Sequence, residues 1–230
     1  MDETAPTAAA VTRTPWSELL ADRIGGGGGG GGDRDRPSWS DEWKRLGLGA
    51  ALVEDTTGGA GGGGSLFPKH LFFVQLGFGV DQHGDRHAPG FATKAAVRAV
   101  RNAIEFNSIP GVIDNLPGGR HEMLIHVKVG VPLDDNGDGG PLPPAKAIDA
   151  LEVAKVFPYG KLLPIEIVPG GLGFHSGRIV EELGDEDDVG ICCVACVSIG
   201  YNQKDDDEND NDNNDDGTAG HTTYNTKDGY

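Results

Sequence analysis

The sequence predicts an α/β protein of the α+β kind. The expected architecture is a two-layer sandwich in the order β-α-β-α-β-β, with a mixed four-stranded sheet and two helices on one face. Three observations carry this. Apolar runs of strand-like composition alternate with stretches of helical period between residues 66 and 201. Two strand–helix units share one pattern: an apolar strand ending in Gly-Val (Gly79-Val80, Gly130-Val131), a polar loop with Asp, an Ala-rich helix, and a Pro/Gly stop. The flanks, finally, are poor core material. Residues 25–32 are all glycine, 58–65 repeat that theme, and 205–216 are almost entirely Asp, Glu and Asn. Such segments lose much backbone entropy on ordering and have little apolar surface to bury. The expected organisation is a Gly-rich disordered prefix with short helices over 1–65, an α/β core domain over 66–201, and an acidic disordered tail over 202–230.

Each element has its own justification. Leu71–Phe78 is rich in aromatic and β-branched residues and bounded by glycine, which reads as a strand. From Thr93, a plausible N-cap, Val97, Val100 and Ile104 recur at helical spacing with Ala96, Ala99 and Ala103 beside them. Met123–Val131 alternates as a half-buried strand does, with Met123, Ile125, Val127 and Val129 on one side. Pro143-Pro144 open a helix expected over Ala145–Phe157, and Pro158-Tyr159-Gly160 closes it. Leu162–Val168 and Val189–Ile199 complete the sheet, the latter apolar on both faces like a central strand. In the prefix, Pro15–Leu20 forms one short segment. Trp39, Trp43 and Leu46 put an apolar face on a second, Ser38–Leu46, which reads as a frayed helix or as an anchor for the core or a partner. Helices on one sheet face leave the other bare, so that face is expected to be buried in a homo-oligomer.

Composition excludes several functions. The net charge is -17, and residues 66–201 hold 11 Lys+Arg against 17 Asp+Glu, so no basic footprint for nucleic acid exists. No apolar run approaches the ~20 residues of a membrane span. The N-terminus has Asp2 and Glu3 and no hydrophobic signal region. Three cysteines within 192–196 make no disulfide framework. A cytoplasmic location fits, with the Thr/Ala-rich residues 4–14 leaving a plastid as the alternative.

The candidate chemistry is concentrated in Gly77-Phe78-Gly79-Val80-Asp81-Gln82-His83-Gly84. It is no dinucleotide loop, because Gln82 stands where a third glycine is needed and the helix starts too far on. It is no Walker loop either, lacking Gly-Lys-Ser/Thr, so a nucleotide cofactor is disfavoured and the cofactor stays unknown. Asp81 and His83 suit three readings: a metal site, shared with Asp85 and His87 if the segment is extended; an acid–base pair, with the carboxylate orienting the ring; or an Asx-turn with the imidazole packed. His175, in the glycine-rich stretch Gly170–Gly177, is a second imidazole loop. Brought beside His83, it would make a small-molecule or anion pocket with Gly77, Gly79, Gly84, Thr93 and Lys94, the last two at a helix N-terminus. Asp134–Gly139 begins like a calcium loop, but its twelfth position is Ala145, so a solvent loop is expected. Cys193 and Cys196 point to opposite strand faces and are read as structural.

The GxGxDxHG pattern of residues 77–84 resembles the signature of a conserved hypothetical "Lin" family of small bacterial proteins with prefixed plant relatives. Thr93–Val100, Pro158-Tyr159-Gly160 and Gly170-Gly171-Leu172 are similar to further parts of it. The likeness covers about Leu71 to Tyr201. It implies that Gly77, Gly79, Asp81, His83 and Gly84 are the shared positions, while 85–92 is a longer loop in this chain, and it implies no named reaction. Two functions are therefore expected to compete. One is an oligomeric protein with a small-molecule or metal site at the 77–84 loop, catalytic if Asp81 and His83 act on a substrate. The other is a non-enzymatic oligomeric structural or interaction protein, in which the glycine loop is an assembly element.

Overall fold

The computed structural model describes residues 12–24, 45–54, 67–105, 111–132 and 144–202. Both glycine runs, most of Ser38–Leu46, the calcium-like loop Asp134–Gly139 and nearly all of the acidic tail lie outside the described residues.

In chain order the elements are β1 (Thr12–Arg13), α1 (Trp16–Ile24), β2 (Ala51–Leu52), β3 (His70–Asp81) and α2 (Thr93–Glu105). There follow β4 (Leu124–Val131), α3 (Pro144–Ala147), α4 (Ala150–Ala154), β5 (Lys161–Leu162), β6 (Glu166–Pro169), β7 (Leu172–His175) and β8 (Val189–Tyr201). The α+β class is as expected, and the sheet is mixed. Among the described residues it holds eight strands rather than four. β8 lies at its centre, antiparallel to β3 on one side and to β4 and β7 on the other. β4 carries β5 and β6 in parallel, and these pair in turn with β2 and β1.

The extra strands have local causes. Pro164 has no N–H to give a ladder, and the expected strand Leu162–Val168 is divided around it into β5 and β6. The helix expected over Ala145–Phe157 breaks at Asp149, which is extended (φ -79°, ψ 99°) and caps α4 by accepting from the Leu151 and Glu152 amides.

Two pieces of the expected prefix belong to the sheet and its core. β1 pairs with β6 and β2 with β5. Trp16 is 1 % exposed, and its indole N–H donates to the Leu162 carbonyl at 3.1 Å. Leu20, Leu48, Ala50 and Leu52 are buried in the same cluster as the sheet interior.

Side chains alternate across the sheet. The inner face of β4 and β8 is built of Ile125, Val127, Val129, Val131, Ile191, Cys193, Ala195, Val197 and Ile199, all buried. The inner face of β3 ends in Gly77, Gly79 and Asp81 under α2. A Cβ on Gly79 would lie 2.2 Å from the Ala95 carbonyl oxygen, and one on Gly77 2.3 Å from that of Ala99. These glycines let α2, with its own seam of Ala95, Ala96, Ala99 and Ala103, rest on the strand backbone. Packing of the helix requires them.

Candidate functional site

The inner row of β3 ends at Asp81, whose carboxylate is almost fully buried. A buried carboxylate needs partners. It finds Arg98 Nη1 at 3.3 Å, from α2, and Arg86 Nη1 at 3.5 Å, from the loop after the strand. Arg86 also donates from Nη2 to the Asp81 carbonyl at 3.0 Å and from Nε to the Val189 carbonyl at 2.8 Å. Asp81 and Arg86 thus fasten the 82–92 loop to the ends of β3 and β8. The partners found for Asp81 are arginines, not the His83 ring.

His83 has another carboxylate. Its Nδ1 lies 3.0 Å from Oδ2 of Asp185, whose side chain is 1 % exposed. Asp185 also accepts the Gly84 amide at 2.7 Å and the Val180 amide at 2.8 Å. The hydrogen bond from His83 comes first, then the Gly84 amide, in holding this carboxyl down to about 2. Gly84 sits at φ +107°, a backbone shape that glycine adopts freely. An ionised carboxylate can only accept, so His83 Nδ1 carries a proton, and in the neutral ring Nε2 keeps its lone pair. The ring is 36 % exposed. That is the geometry of a base that a buried acid orients.

His175 is held in the same way by the same turn. Its Nδ1 lies 2.8 Å from Asp188 Oδ1, on a ring that is 80 % exposed. The Asp188 hydrogen bond and charge raise the imidazole pKa, and the same hydrogen bond lowers that of Asp188. Asp188 accepts the Gly177 amide at 3.3 Å and, through its carbonyl, the Ser176 amide at 2.7 Å. The acidic turn before β8 therefore holds both imidazole loops, one through Asp185 and one through Asp188.

The other expected site residues serve packing or lie on the surface. Thr93 Oγ1 accepts the Asp149 amide at 2.9 Å, and the Gly90 and Ala92 amides donate to the carbonyls of Lys146 and Ala147. These bonds tie the start of α2 to the segment before α4. Lys94 is exposed. Asp85 closes an Asx-turn by accepting the His87 amide at 2.7 Å, and His87 is exposed. Among the described residues no group of three His, Cys, Asp or Glu side chains is placed to hold a metal. Cys193 is buried and Cys196 is half-buried, on opposite faces as the strand period requires. Burial pushes the Cys193 thiol up to about 12.

A further polar cluster occupies the outer sheet face. The Glu166 carboxylate, 4 % exposed, accepts from Lys128 Nζ at 2.9 Å and His126 Nε2 at 2.8 Å, and pairs with Arg13. Burial, then the charges of Arg13 and Lys128, lower the His126 pKa to about 4.

Asp185, Asp188, Arg86 and Glu166 were not found by reading the sequence. The acidic run 185–188 between Gly184 and an apolar strand offered a signal for the first two, but such runs ordinarily face solvent.

Residues 71–199 match a family model described as Conserved hypothetical protein (Lin0512_fam). The chain is also similar to a solved structure, that of an FtsZ-like protein of unknown function from Nostoc punctiforme. The two are 34% identical over 60% of this chain and 100% of that one, with a TM-score of 0.43. No curated protein matches.

Proposed function

The chain belongs to the Lin0512 family of conserved hypothetical proteins, and from that premise we propose that it is a homo-oligomer with a general acid–base site on a small polar molecule at His83. The observation that supports this is the 3.0 Å contact between His83 Nδ1 and the buried Asp185 carboxylate, with part of the ring open to solvent. In this reading His83 Nε2 takes or returns the substrate proton. Asp185 fixes the tautomer and stabilises the imidazolium that forms, and the Gly84 turn sets the ring's position. Asp81 has a positioning role, through Arg86 and Arg98. His175, at the end of β7 and held by Asp188 of the same acidic turn, supplies a second imidazole to the rim of the site in this reading. Three unpaired cysteines suit the reducing, cytoplasmic compartment we assign. No helix of the described residues is long and apolar enough to cross a membrane.

One observation favours a second, non-enzymatic reading. Asp185 also accepts two backbone amides, so the same contacts latch the 82–84 loop to 180–185. There the pair is a structural clasp of an interaction protein. A thermal-shift screen of polar metabolites and divalent metals on wild type, His83→Ala and Asp185→Asn separates the two. The acid–base reading expects a ligand that stabilises wild type and loses that effect in His83→Ala while the fold persists. Any turnover found should fall about 10²-fold or more in His83→Ala, the usual contribution of a general base. If His83→Ala binds every hit as wild type does, the site reading fails.

A further inference from the structure

Large apolar side chains held in water on one sheet face carry a free-energy cost that burial removes. The outward side chains of β3 from Phe72 to Val80 lie between 36 % and 67 % exposed, and Leu172 and Val194 add 61 % and 41 %. The register makes them one surface. Phe78 faces Val194, Leu76 faces Cys196, and Val80 and Leu172 flank Cys192 from either side. At about 200 Å² for a fully exposed aromatic side chain and roughly 150–180 Å² for an aliphatic one, these fractions amount to roughly 600 Å². That is the top of the range for the largest patch of a monomer, about 300–600 Å². It approaches the ~800 Å² that each partner buries in a standard interface.

We propose that a second copy of this chain covers this face, sheet against sheet. The inference rests on the homo-oligomer part of the reading above and names the surface that part requires. Charge selects the partner. Each copy carries -17, yet every outward residue from Phe72 to Val80 on β3, and from Cys192 to Cys196 on β8, is uncharged. The nearest charge on this face, Lys128 of β4, lies opposite Cys196 and is already paired with Glu166, so two like-charged chains can meet here with that ion pair at the rim, and a two-fold axis sets apolar residue against apolar residue. Contact is through the face and not the strand edge. Among the described residues β3 pairs only with β8, but its far edge is closed over 78–80. The Phe78 amide donates to Asn102 Oδ1 at 3.1 Å, and the Val80 carbonyl accepts from Arg98. Open-face packing leaves those bonds intact and stacks the two sheets about 10 Å apart.

The test is light scattering of the full chain after size exclusion, over a concentration series, for wild type, Leu76→Asp and Phe78→Asp. These side chains are 67 % and 64 % exposed on the face away from α2, so replacing them spares the core. Circular dichroism and melting check the fold. Wild type is expected to be a dimer or larger, and each variant to associate at least about tenfold more weakly. A wild type that is monomeric throughout the series overturns both the oligomer reading and this surface. An assembly undisturbed by either substitution overturns the surface alone. If the variants do not fold, alkylation of Cys192 and Cys196 in wild type decides, because both lie on the face. Protection that grows with protein concentration supports the proposal. Protection independent of concentration assigns the face to a segment of the same chain, and free labelling at every concentration leaves it bare; either result overturns it.

Discussion

The tautomer of a neutral His83 ring follows from one neighbour, Asp185, whose carboxyl is held at about 2 instead of its ordinary 3.8. Because the folded value lies below the unfolded one, the stabilisation is complete above about 4 and is lost as pH falls through about 2. Amide exchange at Gly84 and Val180, the two backbone donors to this carboxylate, should lose protection across that window. Asp185→Asn should show no such step; an identical step in the variant would assign it to another group. His126 has the same sign for a different reason. Its pKa of about 4 lies below the ordinary 6.5, so the unfolded chain takes up the proton first. Stability should therefore fall as pH drops from 6.5 towards 4, and His126→Asn should flatten that slope in denaturant midpoints measured at several pH values. Asp81 and His83 stand out in the sequence as candidates, but the partners of each side chain do not. Residues two apart on a strand-end turn look like natural partners. The partners the fold provides for the two side chains come from Arg86, Arg98 and Asp185, and the last lies 102 residues along the chain from His83.

Among the elements, β3 and α2 show how a pattern can be read correctly and explained wrongly. The glycines at 77 and 79 stand out in the sequence, and glycine near a strand end suggests a ligand loop. They lie instead within the strand, where the α2 backbone comes too close for any Cβ. Gly79→Ala should therefore destabilise by about 3 kcal/mol or more, since its methyl would meet backbone atoms that cannot rotate away. Chemical denaturation checks this, and a loss under about 1 kcal/mol would show that α2 shifts cheaply. The break between α3 and α4 was also hidden. Asp149 reads as one residue in a helical run, but its side chain caps a new helix. Asp149→Ala should cost about 1 kcal/mol, the usual value of a lost N-cap, measurable as a lower melting temperature.

Across the whole molecule, the prefix was the largest surprise. Trp16, Leu20, Leu48, Ala50 and Leu52 are buried with the sheet interior, although glycine runs separate the segments that carry them. A chain cut to 66–201 should melt well below the full chain and bind a hydrophobic dye. Trp16→Ala alone should cost about 3–5 kcal/mol, as expected when a buried indole is removed. A truncated chain as stable as the full one would mean that these contacts contribute nothing. The sequence by itself determined the α+β class, the three long strands β3, β4 and β8, the Ala-rich helix and the segment that holds His83. Those are properties of period, propensity and turn chemistry, which act between near neighbours. Only the tertiary structure decided that Asp185 contacts His83, that the glycines seat a helix, that short pieces of the prefix complete the sheet, and which outward residues of β3, β7 and β8 join into one apolar surface. The physical reason is separation along the chain. Two-residue strands such as β1 and β2 have no period to detect, and an ion pair between distant residues is set by register and by which loops meet at one end of the sheet.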